Sequence, residues 1–318
     1  MVAAARLAAV LLAGPAAAQG ITLIQPIDCT LGSDCYIQNY VDADPGPGVL
    51  DAGCGRLTYD GHDGTDFALP TTADLGRGVA VLAAAAGTVR GIRDGEPDVA
   101  QGTPGAPDVS GRECGNGVAI THPGGWETQY CHMAQGSIAV QPGDTVVAGS
   151  VLGRVGLSGD TEFPHLHFTL RQGDAEIDPF DPDGVPVCGA PDPGALWPLD
   201  YAGAEVTAAG WASAVPDYAE VRAGTAAEVL ASDSPALVVW ALMAGGEAGD
   251  EVRITVTGPG GEVIAYSDAV PRDQALFYRA AGRRTPAGGW PAGDYAGEVA
   301  LIRDGAVIAR RAVAMRLD

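Results

Sequence analysis

The sequence has 318 residues, with 40 acidic against 18 basic side chains, a formal charge of −22 and no lysine. So negative a surface repels phosphate backbones and anionic headgroups, which argues against nucleic-acid and anionic-lipid partners and leaves solubility as the plain role of the charge. The length allows two domains of ordinary size, each with its own core.

The chain opens, over residues 1–18, with Arg6, an apolar run Leu7–Leu12 and the small residues Ala16-Ala17-Ala18 before Gln19. That is the anatomy of a secretory signal peptide, too short to span a bilayer as a mature helix. No later stretch approaches about 20 uninterrupted apolar residues. The expectation is an exported, periplasmic or extracellular protein that does not span the membrane. Six cysteines fit an oxidising compartment. Cys29 and Cys35 are close enough for a small loop, and Cys114 and Cys131 flank what reads as a hairpin, which leaves Cys54 for Cys188. Spacing alone leaves that connectivity open. No Cys-x-x-Cys pair supports the competing zinc-thiolate reading.

Residues 19–50 hold few periodic apolar positions and the Pro/Gly-rich piece Asp44-Pro45-Gly46-Pro47-Gly48, and read as an N-terminal extension pinned by cysteines. From 51 to 192 short β-like runs alternate with Gly, Pro and Asp turns: Val79–Leu82, Gly87–Ile92, Gly117–Ile120 and His167–Leu170. No helix-period stretch competes with them. A long insertion between Arg93 and Cys114 is of the kind that is usually functional or mobile. The prolines from Pro186 to Pro198 read as a linker. From 199 to 318, runs such as Ala236–Leu242, Val252–Val256 and Glu262–Tyr266, separated by turns like Gly258-Pro259-Gly260-Gly261 and Arg303-Asp304-Gly305, predict an Ig-like β-sandwich of about 115 residues. The fold class is therefore all-β.

Four of the five histidines fall in short, chemically pointed motifs. His62 and Asp66 are four apart with Gly64 between them, so a bend can aim both at one point. His165 and His167 are two apart; on a strand both project from one face, roughly 7 Å apart along the chain. His132 follows Tyr130-Cys131. A catalytic zinc centre needs three protein ligands and one open position, and an imidazole near it to carry protons. His62, Asp66 and one of the later pair supply the ligands; His132 and the remaining imidazole handle protons. Spacing leaves open which of His165 and His167 does which. The helical His-Glu-x-x-His motif is absent, so a thermolysin-style peptidase is excluded.

These motifs resemble the lysostaphin-type, or LytM-like, zinc metallopeptidases, which cut peptide cross-links in bacterial cell walls. The resemblance rests on His62-x-x-x-Asp66, on Asn116 to His122 leading to His132, on His165-x-His167, and on the turns around Pro142-Gly143-Asp144 and Gly153 to Gly159. It covers about residues 50–182 and keeps both order and spacing. It implies a small antiparallel β-sheet peptidase domain with the site in a groove, and one zinc ion per chain held by His62, Asp66 and His167. By the same resemblance His132 and His165 assist the water and the oxyanion. The implied activity is endopeptidase cleavage in peptidoglycan stem peptides or cross-links. The alternatives are a non-catalytic wall-binding or amidase-regulating member, and a zinc peptidase acting on a secreted protein. The C-terminal sandwich is expected to hold the enzyme on a protein partner or on wall material.

Other residues read more plainly. His122, before Pro123-Gly124-Gly125, is expected at a solvated turn rather than in catalysis. Asp60 and Asp63 flank the ligands as candidate hydrogen-bond partners. Asn116 is a candidate for contacting substrate or capping a turn, and Trp126 and Tyr130 read as sheet packing.

Overall fold

The computed structural model describes residues 20–189 and 192–318; the signal peptide expected over residues 1–18 lies outside them. In chain order the first elements are β1 (Tyr36–Asn39), β2 (Thr65–Ala68), β3 (Ala80–Leu82), β4 (Gly87–Arg93), β5 (Asn116–His122), β6 (Trp126–Met133), β7 (Thr145–Val146), β8 (Val151–Arg154), β9 (His165–Gln172) and β10 (Ala175–Glu176). Eight of them make one antiparallel sheet in the order β1-β2-β9-β6-β5-β4-β7, with β10 paired to β9, while β3 and β8 form a separate pair.

The alternation that builds this sheet is clearest in β9. Leu166, Phe168 and Leu170 point into the core and are at most 1% exposed, while His165, His167, Thr169 and Arg171 take the opposite face. The core face packs on Phe67, Phe180 and Trp197, whose rings stand 5.0–5.7 Å from one another or from Phe168. Burying rings of this size in edge-to-face contact is the main apolar stabilisation beneath the site.

Two segments that read as peripheral are structural. The N-terminal stretch contributes an edge strand and the buried residues Leu23, Ile27 and Tyr40. The proline-rich linker carries Trp197 into the first core, and its backbone is fixed by Leu196 N–H to the Pro179 carbonyl and Leu23 N–H to the Leu196 carbonyl. Proline composition hid this, because one buried ring and two backbone bonds leave no periodic signal. The insertion before Cys114 holds no named strand, yet Asp98 accepts from the backbone of both Gln135 and Leu157, which ties it to the segments that follow β6 and β8. Three disulfides join Cys29 to Cys35, Cys54 to Cys188 and Cys114 to Cys131, the pairs that sequence order suggested. The Cys54–Cys188 bond closes a loop of 134 residues, the kind of cross-link that most restricts the unfolded chain.

The second region comprises β11 (Glu205–Ala212), the short α1 (Tyr218–Ala223), β12 (Ala236–Gly246), β13 (Glu251–Gly258), β14 (Gly261–Ala269), β15 (Gln274–Arg284), β16 (Gly293–Arg303) and β17 (Ala306–Leu317). Its strands form sheets β11-β12-β15 and β14-β13-β16-β17. Val239 and Met243 of one sheet share a core with Ile254, Val256, Val299 and Leu301 of the other, as two packed sheets require. Asp304 and Gly305, both at positive φ, make the tight turn between β16 and β17. Polar bonds tie the two regions, among them Gln38 Nε2 to the Ala275 carbonyl and Arg311 Nη2 to the Ser33 carbonyl. No described helix is long and apolar enough to cross a membrane.

Candidate metal centre

Strand pairing aligns Asn39, Asp66, His167 and Cys131 as one row across β1, β2, β9 and β6. Asp66 therefore lies directly opposite His167, with Oδ1 2.8 Å from Nδ1. His62 sits in the loop before β2 and places Nε2 3.2 Å from the same Asp66 oxygen and 3.3 Å from His167 Nδ1. Gly64 makes the approach possible: a Cβ there would stand 2.7 Å from the His167 ring and from the Phe168 carbonyl, closer than any side chain tolerates.

Hydrogen bonding decides what these atoms offer. The Tyr40 carbonyl, 2.6 Å from His62 Nδ1, only accepts, so that nitrogen carries the proton and Nε2 keeps its lone pair. Asp63 Oδ1 lies 3.1 Å from His167 Nε2 and commits that nitrogen as donor, leaving Nδ1 basic. The other Asp66 oxygen accepts from Asn39 Nδ2 at 2.8 Å. Three lone pairs, on His62 Nε2, Asp66 Oδ1 and His167 Nδ1, thus converge where only a proton or a cation can lie between them. Donors 2.0–2.1 Å from a tetrahedral zinc stand about 3.3 Å apart, close to two of the three separations observed. The partners behind each ligand are of the type that orients metal-binding imidazoles.

Electrostatics agree with that demand for positive charge. Burial opposes ionisation of Asp66, but the imidazoles of His165 and His62 and the bond from His167 hold its carboxyl well below the usual range. Burial would likewise depress His167, yet the Asp63 and Asp66 carboxylates raise it to about 9. Asp63 is drawn down to about 2, chiefly by its bond to His167 against the opposing effect of burial, with Arg171 assisting.

His132 reaches the same place through a defect in β6. It has φ +60, and the register with β5 slips there, so that Asn116 pairs with Met133 but Val118 with Tyr130. This bulge turns both Cys131 and His132 to the groove before Met133 returns to the core. Its Nδ1 donates to the Ser158 carbonyl at 2.8 Å, leaving Nε2 basic. Burial, with His165 and His167 nearby, holds the ring well below the usual histidine range, hence neutral. The His165 ring stacks on Phe163, and its Nδ1 donates to the Phe163 carbonyl at 3.0 Å. Its Nε2 is 3.4 Å from Asp66 Oδ1. The centroids of His132 and His165 are 4.6 Å apart.

Clefts of about 240 and 360 Å³ open on either side of this cluster, and Tyr59, His132, Asp160 and His167 line both. Sharing these residues, the two clefts form one groove, and among its described lining residues Asp63, Glu113, Asp160 and Glu162 are acidic while Arg171 is the one arginine.

All five candidate site residues are thus gathered at one point. Asp63 joins them and Asp60 is exposed, without that contact. His122 is not solvated: it is buried between the Ala86 carbonyl and Thr128 Oγ1, because the turn folds it under β4. Asn116 does not face substrate; it is fully buried and bonded to the backbone of Glu96 and Met133. Trp126 and Tyr130 are in the core. Sequence reasoning missed Asn39 and the Tyr40 carbonyl, although Tyr36-Ile37-Gln38-Asn39-Tyr40 carries a readable strand signal.

Comparison with known proteins shows what part of this chain is similar to. Residues 60–179 match the model described as Peptidase family M23. The cell division protein DipM of Caulobacter vibrioides (strain NA1000 / CB15N) is 35% identical over 71 residues, 21% of this chain and 11% of that protein. The matched segment thus spans about a tenth of that relative. Among solved structures, a mutant catalytic domain of the prophage-encoded M23 protein EnpA from Enterococcus faecalis is 25% identical, covering 48% of this chain and 93% of that one at a TM-score of 0.33. The catalytic domain of lysostaphin from Staphylococcus simulans is 22% identical over 44% of this chain and 85% of that one, with a TM-score of 0.28. A zinc-containing peptidase from Vibrio cholerae is 22% identical over 46% and 39% of the two chains, at 0.29.

Proposed function

We propose, from the premise that residues 60–179 form a peptidase unit of the M23 type, that this chain is an exported zinc endopeptidase cutting peptide bonds in peptidoglycan stem peptides or cross-links. The observation that carries the reading is the convergence of the His62, Asp66 and His167 lone pairs, each with its remaining polar atom already bonded. These three would hold one zinc ion. A neighbouring trio, His132, His165 and His167, is also close enough to share an ion. It lacks the carboxylate that offsets the ion's charge, so the first set is preferred. Zinc, when bound, supplies Lewis acidity towards a water and a peptide carbonyl.

The protein's own groups do the rest. His132 Nε2 is the basic atom left facing the groove, placed to take a proton from the attacking water and return it to the leaving amine. His165, stacked on Phe163 with Nδ1 donating to its carbonyl, presents Nε2 beside Asp66, where a proton carried on Nε2 would be donated to the carbonyl oxygen as negative charge develops on it. The groove runs past both, so an extended peptide lies across them with Tyr59 against it.

Incubation of the zinc-loaded protein with purified sacculi, followed by mass spectrometry of the soluble products, tests this. The proposal expects released peptides with a new amine and carboxyl terminus at one bond. Replacing His132 by Ala should keep the zinc and lower turnover roughly 10²–10⁴-fold. Intact sacculi with a fully zinc-loaded wild type would refute the reading.

A further inference from the structure

We propose that Asp181, Asp183 and Asp192 form a calcium site, separate from the zinc centre, that clamps the segment after β10 to the strap leading into the sandwich. One carboxylate oxygen from each lies within 4.8 Å of the others. Clustering alone would mean little on so acidic a surface. What distinguishes this group is Asp181, which is 3% exposed and has its Oδ2 buried without a hydrogen-bond partner. Its Oδ1 accepts from Val185 N–H at 2.9 Å, and the Asp183 carboxylate stands within hydrogen-bonding reach. Two acceptors face each other there. The charges acting most strongly on Asp181 are those of Asp183 and Asp192, both negative, after the burial that already raises it. Asp178, beside Asp181, has a second buried carboxylate oxygen with no partner.

A buried carboxylate with an unpartnered oxygen and anionic side chains beside it is costly unless a cation completes it. The donors are all oxygen, which selects a hard cation over zinc. Asp181 and Asp183 sit on an irregular turn through Gly184 at φ +70, and both accept from Val185 N–H. Asp192 comes from a different stretch of chain and also accepts from Gly194 N–H. Such an irregular set suits calcium, which takes 6–8 oxygens in loose geometry, better than magnesium, which demands a strict octahedron. Water would complete the shell. The Leu196 bond to Pro179 and the Cys54–Cys188 disulfide already hold these segments together; the ion would remove the repulsion that remains.

The test is thermal unfolding of the zinc-loaded protein in calcium-free buffer, with CaCl2 or MgCl2 added to about 10 mM, a range that saturates extracellular calcium modules. Calcium should raise the midpoint by about 3 °C or more, and magnesium by less. Asp183→Asn combined with Asp192→Asn, at two positions outside the core, should fold, keep its zinc and lose the calcium-dependent rise. No rise in the wild type, or an equal rise in the double variant, would overturn the proposal.

Discussion

The two halves of the molecule are both antiparallel β-structures with tight cores, yet they bury different things. Beneath and around the groove the buried polar residues include His62, Asp66, Asn116, His132 and His165; in the second region, among the described residues, they are Thr207 and Asp250. Asp250 is answered by Arg303, which bonds both its oxygens at 3.0 and 2.9 Å. Burying polar groups costs free energy unless partners compensate. The second region carries little of that cost in ionisable groups, its unpartnered buried atoms being the indole N–H groups of Trp211, Trp240 and Trp290 and the amide nitrogen of Gln274. The first accepts it and concentrates it where lone pairs converge, so the two regions differ in chemistry far more than in architecture.

That contrast can be broken by substitution. The largest effect is expected from His167→Ala, which removes a donor at the centre: zinc content by atomic absorption should fall to background, and peptidase turnover by about 10⁴-fold or more. Met243→Ala, fully buried in the sandwich, should lower stability to urea by about 2–5 kcal/mol while leaving zinc content and turnover at 20 °C unchanged. A parallel loss of turnover would mean that the regions are not separable as described. Asn39→Ala releases one oxygen of Asp66 and should weaken zinc affinity about 10–100-fold in a chelator competition, with little change in melting temperature.

The smallest effect concerns His122. Burial depresses its pKa below the ordinary histidine value, against the raising effect of its bond to Ala86. The folded state therefore binds its proton less readily than the unfolded state. Its stabilising contribution is complete above the unfolded pKa near 6.5 and is lost as pH falls towards the lower folded value. His122→Gln should flatten the decline of stability between pH 7 and pH 5, in the direction the lowered folded pKa dictates. An identical slope in both proteins would remove His122 from the account.

Much of this was readable from residue spacing. Alternation along β9 assigns His165 and His167 to one face, and Gly64 between His62 and Asp66 signals a bend. His132 was different. Continuing the β6 alternation from Tyr130 would send it to the core, and only the bulge at positive φ reverses that. The second layer of the site was also hidden, because Tyr40 acts through its carbonyl and Asn39 through an edge strand in a stretch that reads as an appendage. Trp197 was masked by the prolines around it. Local pattern reveals which face a side chain takes; it does not reveal backbone acceptors or single residues that return from a distance.

The most direct test of the central claim is anomalous X-ray diffraction at the zinc edge from crystals of the zinc-loaded protein. One strong peak should appear 2.0–2.1 Å from His62 Nε2, an Asp66 oxygen and His167 Nδ1. A principal peak among His132, His165 and His167 instead, or none near Asp66, would contradict it.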